Sequence, residues 1–252
     1  MACIDFNSDI GESFGAYKLG NDEEILNHVT ACNVACGFHA GDPMVMANVV
    51  KMAAERGVRI GAHPGFPDLM GFGRRQMRLS LDEITNYVKY QLGALYGFTS
   101  QYGLSLHHMS PHGALGNMSE KDPEMARAIC RAVCEFDRNI IVYHCAGGEL
   151  EKEAKKMGLR TACEIFVDRA YEDDLSLRPR KLPGAMITDE DAAIKRCIRM
   201  IKEGKVTAYS GKELDIKGDT LCVHGDGPNA IAFVDKIAEA FKKEGIEIRA
   251  LS

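Results

Sequence analysis

The amino-acid sequence predicts an α/β protein of the (β/α) barrel type, with seven or eight mainly parallel strands. Two observations carry the prediction. Short β-branched or apolar runs alternate with longer segments of helical period along the whole chain. Nearly all of the polar clusters follow such a run and bring a histidine or a carboxylate with them: NSDIGE at 7–12, GFHAGD at 37–42, GAHPGFPD at 61–68, SPHG at 110–113, FVDRAY at 166–171 and VHGDG at 223–227. Parallel barrel strands deliver their C-terminal ends to one rim, where catalytic groups converge, so the recurrence points to an enzyme. An open doubly wound sheet would gather its ligand groups at a single switch point and fits less well.

The elements follow in order. Ala2–Phe6 reads as the first strand, and Asp22–Val29, with acidic residues in its first turn, as a helix. Cys32–Cys36 is the next strand and Pro43–Arg56 the next helix, with proline suited to the first turn and Asn48, Lys51 and Glu55 on one polar face. Val58–Ala62 is a third strand. Ser80 and Glu83 then form a capping box for a long helix reaching about Gly97. Further strands are expected at Leu104–His108, Ile140–His144, Arg160–Phe166, Val206–Tyr209 and Asp219–Val223. Helices are expected near 122–136, 149–157 and 189–203, the last carrying the apolar stripe Ala193, Ile194, Cys197, Ile198 and Ile201. A closing helix from Pro228 buries Ala230, Val234, Ile237 and Phe241. No repeat or linker interrupts the pattern, so one domain over 1–252 is expected.

Composition narrows the class. A length of 252 residues suits one α/β barrel, and a net charge of −5 without a Lys/Arg block argues against nucleic acid. No apolar run is long enough to span a bilayer, and the acidic N-terminal segment lacks the form of a signal peptide. The nine cysteines are odd in number and include no Cys-x-x-Cys pair, which fits buried small hydrophobes in a reducing, cytoplasmic setting.

The strand-end residues differ in how strongly they point to chemistry. Asp9 and Glu12 follow a buried strand, where a carboxylate is costly unless paired or coordinated. His39 lies in a glycine-flanked loop, whereas Asp42 just before Pro43 equally suits a helix N-cap. His63 directly follows Ile60-Gly-Ala and is held by Pro64, a rigid setting for a metal ligand, an acid/base or an oxyanion donor. His108 and His112 are four apart, but Pro111 and Gly113 argue against a helix that would pair them. Arg74 in GFGRR and Arg180 in LRPRKLPGA are either solvated charges or carboxylate ligands. His224 and Asp226 precede a helix N-terminus, where Asp226 also suits a cap.

In this order NSDIGE, NVACGFHAGD, GVRIGAHPGFPD, FGR, PHGAL, FVDRAY, PGA and VHGDG resemble the LamB/YcsF family over essentially the whole chain. The resemblance implies a barrel of the glycoside hydrolase/deacetylase type. It also implies ATP-driven opening of 5-oxoproline to glutamate by a 5-oxoprolinase, of which this chain would be the A subunit, working together with subunits B and C. The family pattern falls on Asp9, Glu12, His39, Asp42, His63, Arg74, His112, Asp168, Arg169, His224 and Asp226. It departs at Ser110, where members carry lysine, and at Gly116, where they carry tyrosine, which leaves the lactam open.

A lactam is an unactivated amide, so phosphorylating its carbonyl oxygen would supply a leaving group. No G-x-x-x-x-G-K-[ST] loop is present, so ATP is expected mainly on a partner. Two other readings remain at this level. One is a deacetylase holding a divalent metal on Asp9, His39 and His63; the other is a non-catalytic subunit that presents substrate. The number of copies is open, a homo-oligomer included.

Overall fold

A computed structural model describes residues 2–223 and 230–252. The strands are β1 (Ala2–Ile10), β2 (Ala31–Ala35), β3 (Arg59–His63), β4 (His108–Met109), β5 (Ile141–His144), β6 (Thr161–Phe166), β7 (Lys205–Thr207), β8 (Glu213–Asp215), β9 (Thr220–Cys222) and β10 (Ile246–Ile248). The helices are α1 (Asp22–Ile25), α2 (Pro43–Arg56), α3 (Leu81–Thr99), α4 (Gly113–Ser119), α5 (Pro123–Phe136), α6 (Glu149–Lys156), α7 (Glu190–Glu203) and α8 (Ala230–Lys243).

β1 through β6 pair in sequence order, all parallel, and β9 joins β6 to β1. The barrel is therefore closed by seven strands. The predicted strand at Val206–Tyr209 is not one of them: Lys205–Thr207 pairs antiparallel with Glu213–Asp215 in a separate ribbon. Its residues alternate in burial, as expected of a ribbon with one covered face. The strand predicted at Leu104–His108 shortens to His108–Met109, and α1 stops at Ile25. β10 pairs beside the start of β1 and had no counterpart in the expected elements.

Local signals account for the helix ends. Asp42 caps α2 by accepting from Met44 N at 2.7 Å and Val45 N at 3.0 Å. Ser80 and Glu83 make the predicted capping box of α3. Cys32, Cys36, Cys130, Cys163, Cys197 and Cys222 are buried, and none of the nine cysteines is bridged. Among the described residues no helix is long and apolar enough to cross a membrane.

β1 shows how the barrel is filled. Ile4, Phe6 and Ile10 join the apolar layer beneath the helices, with Phe6 edge-on to Phe241 of α8 at 5.6 Å. The alternate residues Asp5, Asn7 and Asp9 point the other way, into the barrel, because side chains alternate across a strand. They meet polar partners there: Asn7 Nδ2 donates to Thr220 Oγ1 at 2.7 Å, Thr220 Oγ1 and Tyr143 OH bond Asp5, and Asn33 joins Asn7 to Asp9. The apolar core thus lies between sheet and helices, and the barrel interior is a buried hydrogen-bonded network.

Candidate functional site

Because all seven barrel strands are parallel, Asp9, His63, Ser110, Cys145, Phe166 and Cys222 reach the same end of the barrel. They line a cavity of about 920 Å³ there, together with Glu12, Arg74, His112, Gly116, Glu120, Glu164, Asp168, Arg169 and Arg180. The volume lies within the range of small-molecule sites.

The loop after β3 shapes the histidine side of the site. Asp68 braces the turn after β3 by accepting from Gly71 N at 2.9 Å and from the Arg75 guanidinium. That brace holds Phe72 at a positive φ of 53°, uncommon for a bulky side chain, and so aims its carbonyl at His112. Gly73, at φ 64°, has no room for a side chain: a Cβ there would lie 2.7 Å from both the His112 ring and His39 Cβ.

The histidines form one cluster. His39 and His112 stack in parallel with centroids 3.7 Å apart, and His63 stands edge-on to both. His63 Nδ1 donates to the Ser110 carbonyl at 2.7 Å, and His112 Nε2 donates to the Phe72 carbonyl at 2.8 Å. Those bonds assign the tautomers and turn His63 Nε2 and His112 Nδ1 toward each other, 2.9 Å apart. Glu12 Oε1 lies 3.2 Å from His39 Nε2, 3.3 Å from His112 Nδ1 and 3.9 Å from His63 Nε2. Asp9 Oδ1 is 3.4 Å from His63 Nε2.

Electrostatics divides the rings. Burial disfavours charge on His63, but the Asp9 and Glu12 carboxylates and the Ser110 carbonyl outweigh it and raise its pKa. Burial, then the charge on His63, pushes His112 down. His39 falls well below the usual histidine range through burial and the neighbouring His112 and His63.

The remaining candidates divide clearly. Arg74 lines the cavity with its guanidinium 4.9 Å from the Phe72 ring centroid. Asp168, Arg169 and Arg180 line another part of its wall, where buried Arg169 donates through Nη2 to the Arg178 carbonyl. His39 is fully buried beneath His112 and is not part of the lining. Asp42 does not line it either; Gly15 N takes its second oxygen at 2.7 Å. His224 and Asp226 lie outside the described residues.

As expected, no helix pairs His108 with His112: residues 110–112 are not helical, and α4 starts only at Gly113 with His112 as its N-cap. His108 is separated from His112 altogether and stacks on Tyr143 inside the barrel, 4.2 Å between centroids. The donors that converge are Glu12, His39, His63 and His112, all within 4.8 Å of one another; Asp9, expected among the metal ligands, stands beside this set. Asn33 and Glu164 were not among the expected residues; the signal for Asn33 is a lone polar residue inside the otherwise apolar, fully buried run of β2.

Fold and site together define a parallel β/α-barrel protein with a histidine–carboxylate centre at the C-terminal rim. The LamB/YcsF family model matches residues 4–252, and the chain belongs to the LamB/YcsF family. It is 56% identical over 251 residues to the 5-oxoprolinase A subunit of Campylobacter jejuni strain 81-176, covering 100% of this chain and 98% of that one. It is 51% identical over 252 residues to the protein of the same name from Bacillus subtilis strain 168, covering 100% and 98%.

Among solved structures, the lactam utilization protein from Thermus thermophilus superposes with a TM-score of 0.93 at 46% identity, covering 99% of this chain and 100% of that one. The polysaccharide deacetylase Bc1974 from Bacillus cereus gives a TM-score of 0.50 at 15% identity, covering 100% and 93%, a likeness of fold alone.

Proposed function

We propose that the chain is the A component of an ATP-dependent 5-oxoprolinase that opens 5-oxoproline, or a related lactam, to glutamate together with subunits B and C. The observation that carries this is the shared cavity wall: Asp9, His63 and Arg74 line one space large enough for an acid-bearing lactam. The names of the full-length relatives support the substrate class.

Asp9 acts as general base on water, its carboxylate held by Asn33 Nδ2 at 2.8 Å. Positive charge at the His63 position stabilises the oxygen of the tetrahedral intermediate. Arg74 binds the substrate carboxylate. One water adds across the ring C–N bond: its oxygen remains on the new carboxylate and the ring nitrogen gains a proton. A second water is consumed as ATP becomes ADP and phosphate, and phosphorylation of the lactam oxygen couples the two. ATP sits on a partner.

The test is a coupled glutamate and ADP assay with and without the B and C subunits, run over several lactams. Glutamate formed only with all three chains, and lost with Asp9→Asn, is the expected result. No glutamate from the full set, or an unchanged rate in Asp9→Asn, overturns the proposal.

A further inference from the structure

The rim cluster contains a conflict that one proton does not resolve. His112 Nε2 spends its hydrogen on the Phe72 carbonyl, so Nδ1 presents a lone pair both to His63 Nε2 at 2.9 Å and to Glu12 Oε1 at 3.3 Å. A proton on His63 Nε2 answers the first contact and leaves the second, the lone pair of buried His112 against a carboxylate oxygen of half-buried Glu12. A cation placed among the donors answers both.

The spacing of four of the six donor pairs lies near that of such an occupant, and all four donors fall within 4.8 Å of one another. Metal–donor bonds of about 2.0–2.1 Å in a tetrahedron set neighbouring donors roughly 3.3–3.4 Å apart. Here the separations are 2.9 Å for His63–His112, 3.2 Å for His39–Glu12, 3.3 Å for His112–Glu12 and 3.9 Å for His63–Glu12. Backbone carbonyls fix the far nitrogens of His63 and His112, the usual support for ligating imidazoles.

We propose that Glu12, His39, His63 and His112 form a site for one divalent transition-metal ion of the zinc class. Three imidazoles and one carboxylate select such an ion over magnesium or calcium, which take mainly oxygen donors. Glu12 together with the neighbouring Asp9 balances its two charges. When bound, the ion supplies Lewis acidity next to Asp9. The inference deepens the hydrolytic reading of this centre, since the positive charge at the His63 position then comes from the ion instead of an imidazolium, and Asp9 remains the base.

The test uses the full chain, stripped with a chelator and dialysed, without substrate or partner subunits. Zinc chloride is titrated by calorimetry, cobalt(II) by visible absorption, and bound metal is counted by elemental analysis. The expected result is one ion per chain, with cobalt bands of a four- or five-coordinate site. His63→Ala and the near-isosteric Glu12→Gln each weaken binding by ~100-fold or more, while His28→Gln, at a histidine paired with Asp235 outside the cluster, leaves it unchanged. Circular dichroism of Glu12→Gln shows whether its loss of binding occurs in a folded chain. Absence of stoichiometric uptake, or uptake undiminished in both His63→Ala and Glu12→Gln, overturns the site. Because no arm involves a lactam, this result and that of the glutamate assay can fail separately.

Discussion

Asn33 donates from its side-chain amide to Asp9 Oδ1 at 2.8 Å, and the same nitrogen donates to Asn7 Oδ1 at 2.7 Å while Asn33 Oδ1 accepts from His108 Nε2 at 2.7 Å. The rim carboxylate is thereby anchored to the polar interior of the barrel. Asn33→Ala removes one hydrogen bond from each of three groups, the buried Asn7 and His108 and the half-buried Asp9. It is expected to cost roughly 2–4 kcal/mol in urea denaturation and to lower kcat in the reconstituted assay more than it raises KM, since Asp9 loses its orientation.

The interior ring of His108 makes a glycine obligatory on β3. A Cβ on Gly61 would sit 2.2 Å from the His108 imidazole. Gly61→Ala should therefore destabilise the protein by ~3 kcal/mol or more, read as a lower urea midpoint, because the ring has to leave its bond to Asn33.

Asp42 separates capping from catalysis. Both of its oxygens accept backbone N–H groups, from Met44, Val45 and Gly15, and these bonds hold its carboxyl below the usual range. Asp42→Ala is expected to lose about 1–2 kcal/mol of stability with kcat of the folded fraction unchanged. A large kcat loss in folded protein would instead place Asp42 in the chemistry.

Glu120 gives a pH-dependent term. Burial raises its pKa from 4.5 to about 7, against the lowering effect of hydrogen bonds from the backbone of Cys145 and Leu150. The folded state thus holds a proton that the unfolded state has released between about pH 4.5 and about 7, and stability falls as pH rises through that window. Below it, both states are protonated and the penalty vanishes. Glu120→Gln should remove roughly 1–3 kcal/mol of this decline, measured as the difference in unfolding free energy between pH 4.5 and 7.5 for variant and parent.

Arg74 can be tested by substrate charge. If it binds the lactam carboxylate, Arg74→Ala should raise KM for 5-oxoproline about tenfold or more and leave KM for 2-pyrrolidone, which lacks the carboxylate, nearly unchanged. Equal effects on both lactams would remove that role.

Much of the architecture could be read along the chain. Alternating runs marked β2, β3, β5, β6 and β9 to within one or two residues, and Asp42, Pro43, Ser80 and Glu83 marked helix starts because caps are local chemistry. Elements with weak local signals were missed or misplaced: β10 has three residues, and β4 has two, defined by its neighbours and not by its own pattern. The ribbon at 205–207 has the residue types of a barrel strand, and only its pairing partner, Glu213–Asp215, sets it outside the barrel.

By itself the sequence determined the repeated βα plan, the rim position of Asp9, Glu12, His63 and His112, and the resemblance to the LamB/YcsF family, since periodicity, caps and motif order are properties of neighbouring residues. Tertiary structure alone decided that seven strands close the barrel, that His39 is covered by His112, that Asn33 holds Asp9, and that Glu12 with three histidines, rather than Asp9 with two, forms the convergent donor set. The reason is physical: such contacts join residues from 24 apart, as for Asn33 and Asp9, to 215 apart, as for Asp5 and Thr220 across the barrel closure, and their distances are set by barrel closure and register, which no local pattern encodes.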